Sequence, residues 1–136
     1  MTMHTGGCLC GAVRFELTAE PQMFGFCHCR DCQRLTGGEP VAVVVGPRES
    51  FRLTRGELKA FRSTAASGNV ADRHFCPECG THVASRLEAG PFMAVRVSTL
   101  DEPPSLQPQF EIWTSTAQPW AHRPPGLASF EENAPG

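Results

Sequence analysis

Seven cysteines in a chain of 136 residues constrain this protein more than any other feature, because they fall into three tight clusters. Cys8-Leu9-Cys10, Cys27-His28-Cys29-Arg30-Asp31-Cys32 and Cys76-Pro77-Glu78-Cys79-Gly80 each crowd two or three thiols into a few residues. Cysteines so close in sequence seldom reach the geometry of an unstrained disulfide with each other, and an odd count leaves one thiol over. They converge readily on a single ion. The first residues lack the basic start and apolar run of a secretory signal. A cytoplasmic location is therefore expected, where thiols stay reduced and dense cysteines indicate metal or redox chemistry.

The rest of the composition narrows the field. A net charge of -2, with Lys and Arg scattered, offers no footprint for nucleic acid. No apolar run approaches the roughly 18 residues of a membrane helix. The length suits one domain, residues 1–136, with a core over about 5–122. The Pro-rich tail, 123–136, is expected to fray. Alternation of apolar and polar residues predicts an all-β fold. Val13, Phe15 and Leu17 face one way, and Val41–Val45, Phe51–Leu53, Leu58–Phe61, His82–Leu87, Phe92–Val97 and Phe110–Trp113 continue the pattern. Arg55-Gly56 reads as a hairpin between two of these strands. The one predicted helix is short, Arg30–Leu35.

The clusters then become ligand sets. Cys76 and Cys79, three apart across a turn relieved by Gly80, form a zinc knuckle that needs a second pair of ligands. Cys8 and Cys10, if extended, point to one face and can share an ion. Cys27, Cys29 and Cys32 add three more thiols. Seven ligands divide as four, which close a structural site, and three, which leave the open position of catalytic zinc. Spacing also fits a ribbon of Cys29, Cys32, Cys76 and Cys79, which leaves Cys8, Cys10 and Cys27 unexplained. A redox reading of Cys29 with Cys32 lacks the surrounding βαβ pattern.

Three stretches carry a resemblance: Gly7 to Phe15, Cys27 to Cys32 with Thr36-Gly37 after it, and Phe75 to Thr81. With Thr99-Leu100-Asp101 and Pro119-Trp120, they resemble the glutathione-dependent formaldehyde-activating enzyme family, which includes the centromere protein V domains. The resemblance runs from about Gly6 to Trp120 and keeps all three motifs in order. It implies an Mss4-like zinc-binding β fold with two Zn2+ per chain. It assigns Cys8, Cys10, Cys76 and Cys79 to the structural zinc, and Cys27, Cys29 and Cys32 to the catalytic one. The activity implied is a carbon–sulfur lyase-type reaction, joining glutathione to formaldehyde as S-(hydroxymethyl)glutathione. The partner expected is thus a small thiol such as glutathione, with neither nucleic acid nor membrane. The alternative is a non-catalytic binding module stabilised by zinc.

Other polar residues near the clusters have plainer expectations. His28 points away from its neighbouring cysteines in an extended segment, as a supporting group rather than a ligand. His74 and His82 flank the knuckle and can either complete the open site or stay outside it. Arg30 and Arg34 border the open site as receivers for a carboxylate or as solvent-facing charges. Asp101 reads as a turn residue, Trp113 as core, and Glu39 as a bare candidate for acid or base.

Overall fold

The computed structural model describes residues 2–134. Among the described residues there are eleven strands, one α-helix and three short 3-10 turns. The strands are β1 (His4–Gly7), β2 (Arg14–Leu17), β3 (Met23–Cys27), β4 (Val41–Pro47), β5 (Phe51–Arg55), β6 (Lys59–Thr64), β7 (Val70–Phe75), β8 (His82–Leu87), β9 (Phe92–Arg96), β10 (Phe110–Ile112) and β11 (Ala128–Ser129), and α1 spans Arg30–Thr36. The strands form a small sheet ordered β1-β2-β5 and a large one ordered β11-β10-β3-β4-β9-β8-β7-β6. Among the described residues no helix is long and apolar enough to cross a membrane.

Register explains the layers. Phe24 pairs with Val44, Val44 with Val95 and Val95 with Ala84, so one face of the large sheet carries an apolar row. Phe15 and Leu17 of the small sheet pack against that face, and Phe15 stacks on Phe51 at 4.8 Å between ring centroids. Side chains alternate across a sheet, so the other face carries the intervening residues. Cys27 is opposite Val41, Val43 opposite Arg96, Ser85 opposite Arg73, and Arg73 opposite Phe61. Cys32 of α1 joins Cys27, Val41 and Val43 there in a second buried cluster. The second face of the large sheet is therefore the floor of a sulfur-rich site.

α1 forms where expected and ends for a local reason. Gly37 adopts a positive φ of 76° and returns its N–H to the Gln33 carbonyl at 2.7 Å, the glycine C-cap that stops a helix. Three expectations need correction. Arg55-Gly56 is no hairpin, because β5 belongs to the small sheet and β6 to the large one. Gly56 has φ +72°, and a Cβ there would lie 2.1 Å from the Ala12 carbonyl oxygen, so glycine lets the chain cross between sheets. Cys8 and Cys10 lie in the turn after β1, not in a strand. The segment from Ala128 to Asn133 is docked rather than frayed. β11 adds to β10 in parallel, and the Phe130, Glu131 and Glu132 carbonyls accept from Thr114, Ser115 and Trp113 N–H groups at 3.0–3.2 Å. Pro135 and Gly136 lie outside the described residues.

Candidate metal centres

Two hairpin turns build the first thiol group: β1–β2 carries Cys8 and Cys10, and β7–β8 carries Cys76 and Cys79. In both turns the residue after the second cysteine is a glycine of positive φ, Gly11 at 81° and Gly80 at 80°. Both also aim amides at sulfur. Val13 N–H donates to Cys8 Sγ at 3.2 Å, and the N–H groups of Glu78 and Cys79 donate to Cys76 Sγ at 3.4 and 3.5 Å. Leu9 N–H donates to Thr81 Oγ1 at 3.1 Å and ties one turn to the other. Hydrogen bonds from Thr81 hold the Cys79 thiol at about 5, below its ordinary value. The four Sγ atoms lie within 4.8 Å of one another, with Cys8 to Cys10 at 3.7 Å and Cys10 to Cys76 at 3.9 Å. Sulfurs about 2.3 Å from a tetrahedral zinc stand about 3.8 Å apart. The group is spaced for an ion.

The second group forms where β3 hands over to α1. Cys27 ends the strand, Cys29 caps the helix and accepts from Cys32 N–H at 3.3 Å, and Cys32 lies in the first helical turn. Their sulfurs also lie within 4.8 Å of one another, and no His, Asp, Glu or further Cys among the described residues joins them. Hydrogen bonds from Cys27 and Cys29, with the fields of Arg96 and Arg73, bring the Cys32 thiol down to about 3. Cys27, bonded to those two sulfurs and buried, is pushed up. A cation bound among the three sulfurs would take the place of their protons, as at a thiolate metal site.

Two buried cations stand beside this trio, and sequence patterns missed both. Arg96 is 2 % exposed, with a terminal nitrogen 3.9 Å from Cys32 Sγ and 3.1 Å from Ser85 Oγ, and its Nε donates to His82 Nδ1 at 3.1 Å. His82 is driven down to about 3 by burial and by Arg96, Arg73 and His74, so it is neutral and accepts from Arg96. Arg73 is 6 % exposed and faces Asp31 at 3.6 Å. A guanidinium is the cation that burial neutralises least. Together they complement negative charge on the sulfurs.

His28 supports the cysteines on either side without binding with them. It is fully buried, with Nδ1 3.0 Å from Glu39 Oε1 and Nε2 2.8 Å from Glu111 Oε1. Its carbonyl accepts from Gln33 Nε2 at 2.7 Å and Thr116 Oγ1 at 3.0 Å, and its N–H donates to the Ile112 carbonyl. Glu111 in turn takes two bonds from Arg123, at 3.0 and 3.1 Å, and one from Ser129 Oγ at 2.6 Å. Those bonds, Arg123 first, hold its carboxyl at about 2. Glu39 is thus a structural partner of His28, and the tail that supplies Arg123 and Ser129 braces the second thiol group. Arg30 turns to Gln33 Oε1 at 2.7 Å, while Arg34 is exposed. Asp101 pairs with Arg14 and Thr5, as a turn anchor. Trp113 packs on the second buried cluster, as expected of core.

Comparison with known proteins agrees with this geometry. The profile of the glutathione-dependent formaldehyde-activating enzyme family matches residues 3–116. A Podospora anserina protein, provisionally named for that activity, is 30% identical over 116 residues, which cover 80% of this chain and 53% of the relative. A Halomonas elongata protein with the same provisional name is 30% identical over 80 residues, 56% of this chain and 51% of the relative. The chain spans about half the length of these relatives. A crystal structure of a Rhodobacter sphaeroides protein has a similar fold, with a TM-score of 0.57 and 21% identity over 93% of this chain and 98% of that one. With the cysteine motifs, their three-dimensional grouping and the profile match in agreement, the chain belongs to the glutathione-dependent formaldehyde-activating enzyme family.

Proposed function

We propose that the chain binds two zinc ions and is a carbon–sulfur lyase-type enzyme that joins glutathione to formaldehyde, forming S-(hydroxymethyl)glutathione. Cys8, Cys10, Cys76 and Cys79 are assigned the structural ion. Cys27, Cys29 and Cys32 are assigned the catalytic one. One observation carries the second assignment: three thiols converge with no fourth ligand residue among the described ones, whereas structural zinc takes four. All seven cysteines are free, which fits a reducing, cytoplasmic setting. An Mss4-like ancestry of the fold is part of the same reading.

Cys27, Cys29 and Cys32 would hold the zinc, which would supply a soft fourth position able to acidify a thiol. The chain's residues do the rest. Arg96 and Arg73 offset the negative charge that collects when a substrate thiolate joins three others. Val41, Val43, Ala94 and Ile112 keep water from the buried side of the trio, so these charges act in a low dielectric. His28, held from both sides by carboxylates, fixes Cys27 and Cys29 in place. In the net reaction the thiol sulfur bonds to the carbonyl carbon, the C=O pair moves to oxygen, and the proton lost by sulfur ends there. No electrons are exchanged.

The test is exchange spectroscopy on carbon-13 formaldehyde with glutathione, with the spontaneous reaction as the baseline. The protein is expected to raise the exchange rate, and Cys32→Ser to remove the increase. A rate equal to the spontaneous one with fully metal-loaded protein favours the alternative, a zinc-stabilised binding module.

A further inference from the structure

A cleft of about 220 Å³ opens between α1 and the β6–β7 edge of the large sheet, with Asp31, Arg34 and Leu35 on the helix side and Phe61, Thr64 and Arg73 on the strand side. Whole-ligand pockets generally run from about 300 to 1,000 Å³, so this space suits one end of a molecule. Arg73 links it to the thiol trio. Its side chain is 7 % exposed, it lines the cleft, and its charge acts on Cys32.

Arg73 is also underused by the protein. Its Nε is buried with no hydrogen-bond partner, and the nearest carboxylate oxygen, on Asp31, stands 3.6 Å from a terminal nitrogen, beyond hydrogen-bond reach. A buried guanidinium ordinarily fills its fork with a carboxylate or phosphate. Arg34 enters the same cleft from the exposed side of the helix. The cleft lining holds two guanidinium groups and one carboxylate, and Arg34 is the one of the two cations that does not face the thiol trio. Phe61, 57 % exposed, and Leu35 give it an apolar wall.

We propose that this cleft binds a carboxylate of the thiol substrate, with Arg73 and Arg34 as its receptors, so that the protein selects acidic thiols. The proposal rests on the reading that the second thiol group accepts a substrate sulfur. It makes the cleft the specificity site, and it replaces Arg30, which is committed to Gln33, as a receptor beside Arg34.

The test is calorimetric titration of the zinc-loaded protein with 3-mercaptopropionate and with 2-mercaptoethanol, thiols of similar size that differ in charge. The native chain is expected to bind the acid at least about fivefold more tightly. Arg34→Gln and, independently, Thr64→Glu are expected to weaken the acid roughly threefold to tenfold and leave the neutral thiol within twofold. Both positions are exposed, so both variants fold. Equal affinity for the two thiols, or equal weakening of both in the variants, overturns the carboxylate site while leaving thiol binding intact. No heat with either thiol overturns the thiol reading, and the cleft proposal with it.

Discussion

At the scale of single residues, the proposed roles give the two thiol groups unequal structural weight. An ion held by Cys8, Cys10, Cys76 and Cys79 would tie two hairpin turns that lie some seventy positions apart in the chain. A structural zinc contributes on the order of 10 kcal/mol, comparable to a domain's whole stability. Cys79→Ser is therefore expected to be insoluble or unfolded, and Cys32→Ser to stay folded with less metal, as read by circular dichroism and metal analysis. Equal damage from both would contradict the division of roles. Glu111 gives a pH-dependent test. Its folded pKa of about 2 lies below the ordinary 4.5, so its contribution is complete above about pH 4.5 and is lost as pH falls through 2. Glu111→Gln is expected to cost about 3 kcal/mol at pH 7. That deficit shrinks by roughly 1 kcal/mol by pH 3.5 in urea denaturation, because the unfolded carboxyl is then largely protonated while the folded one stays ionised. A deficit that stays constant with pH would remove Glu111 from its assigned place.

The cysteines were legible in the sequence because ligand spacing is a local property, and two or three thiols per turn announce themselves. Arg73, Arg96 and Glu111 were not. Each looks like an ordinary charge on a strand, and each is buried by partners far along the chain. Glu111 reaches His28 across 83 positions, and Arg96 reaches Cys32 across 64. Burial of a charge follows from its partners, and single-sequence patterns do not hold them.

At the scale of elements, strands with clean alternation were readable and the others were hidden for physical reasons. β3, Met-Phe-Gly-Phe-Cys, is covered on both faces and has Gly25 at its centre, so no alternation shows. A Cβ on Gly25 would lie 2.3 Å from the Phe110 ring, which explains the glycine. β7 puts Asp72, Arg73 and His74 into a strand interior, and its charges disguise it as loop. β11 is two residues long and pairs in parallel with a distant strand, beyond the reach of hairpin signals. The braced tail leads to a prediction. A chain ended after Ala121 loses Arg123 and Ser129, and with them the support of Glu111 and His28. Support of this kind is worth roughly tenfold or more in metal affinity. The shortened chain is expected to lose metal from Cys27, Cys29 and Cys32 about tenfold faster to a chelator, with the first group unaffected. Uniform loss from both would point to general unfolding.

At the scale of the whole molecule, the large sheet separates two jobs. One face and the small sheet make the apolar core, and the other face carries the thiol trio, its two guanidinium groups and the cleft beside α1. Two metal ions per chain are expected on full loading, and the ion with three protein thiolates should leave first. A single ion, with Cys8 and Cys10 free, would favour the ribbon arrangement. The central claim is that the second site keeps a position open for a substrate thiol. Cobalt replaces zinc in such sites and reports each sulfur ligand through thiolate-to-metal charge-transfer bands. Glutathione added to the fully cobalt-loaded protein is expected to raise those bands to saturation at millimolar concentration or below, and Cys32→Ser to blunt the response. A fully loaded site whose spectrum stays unchanged at millimolar glutathione would contradict the account.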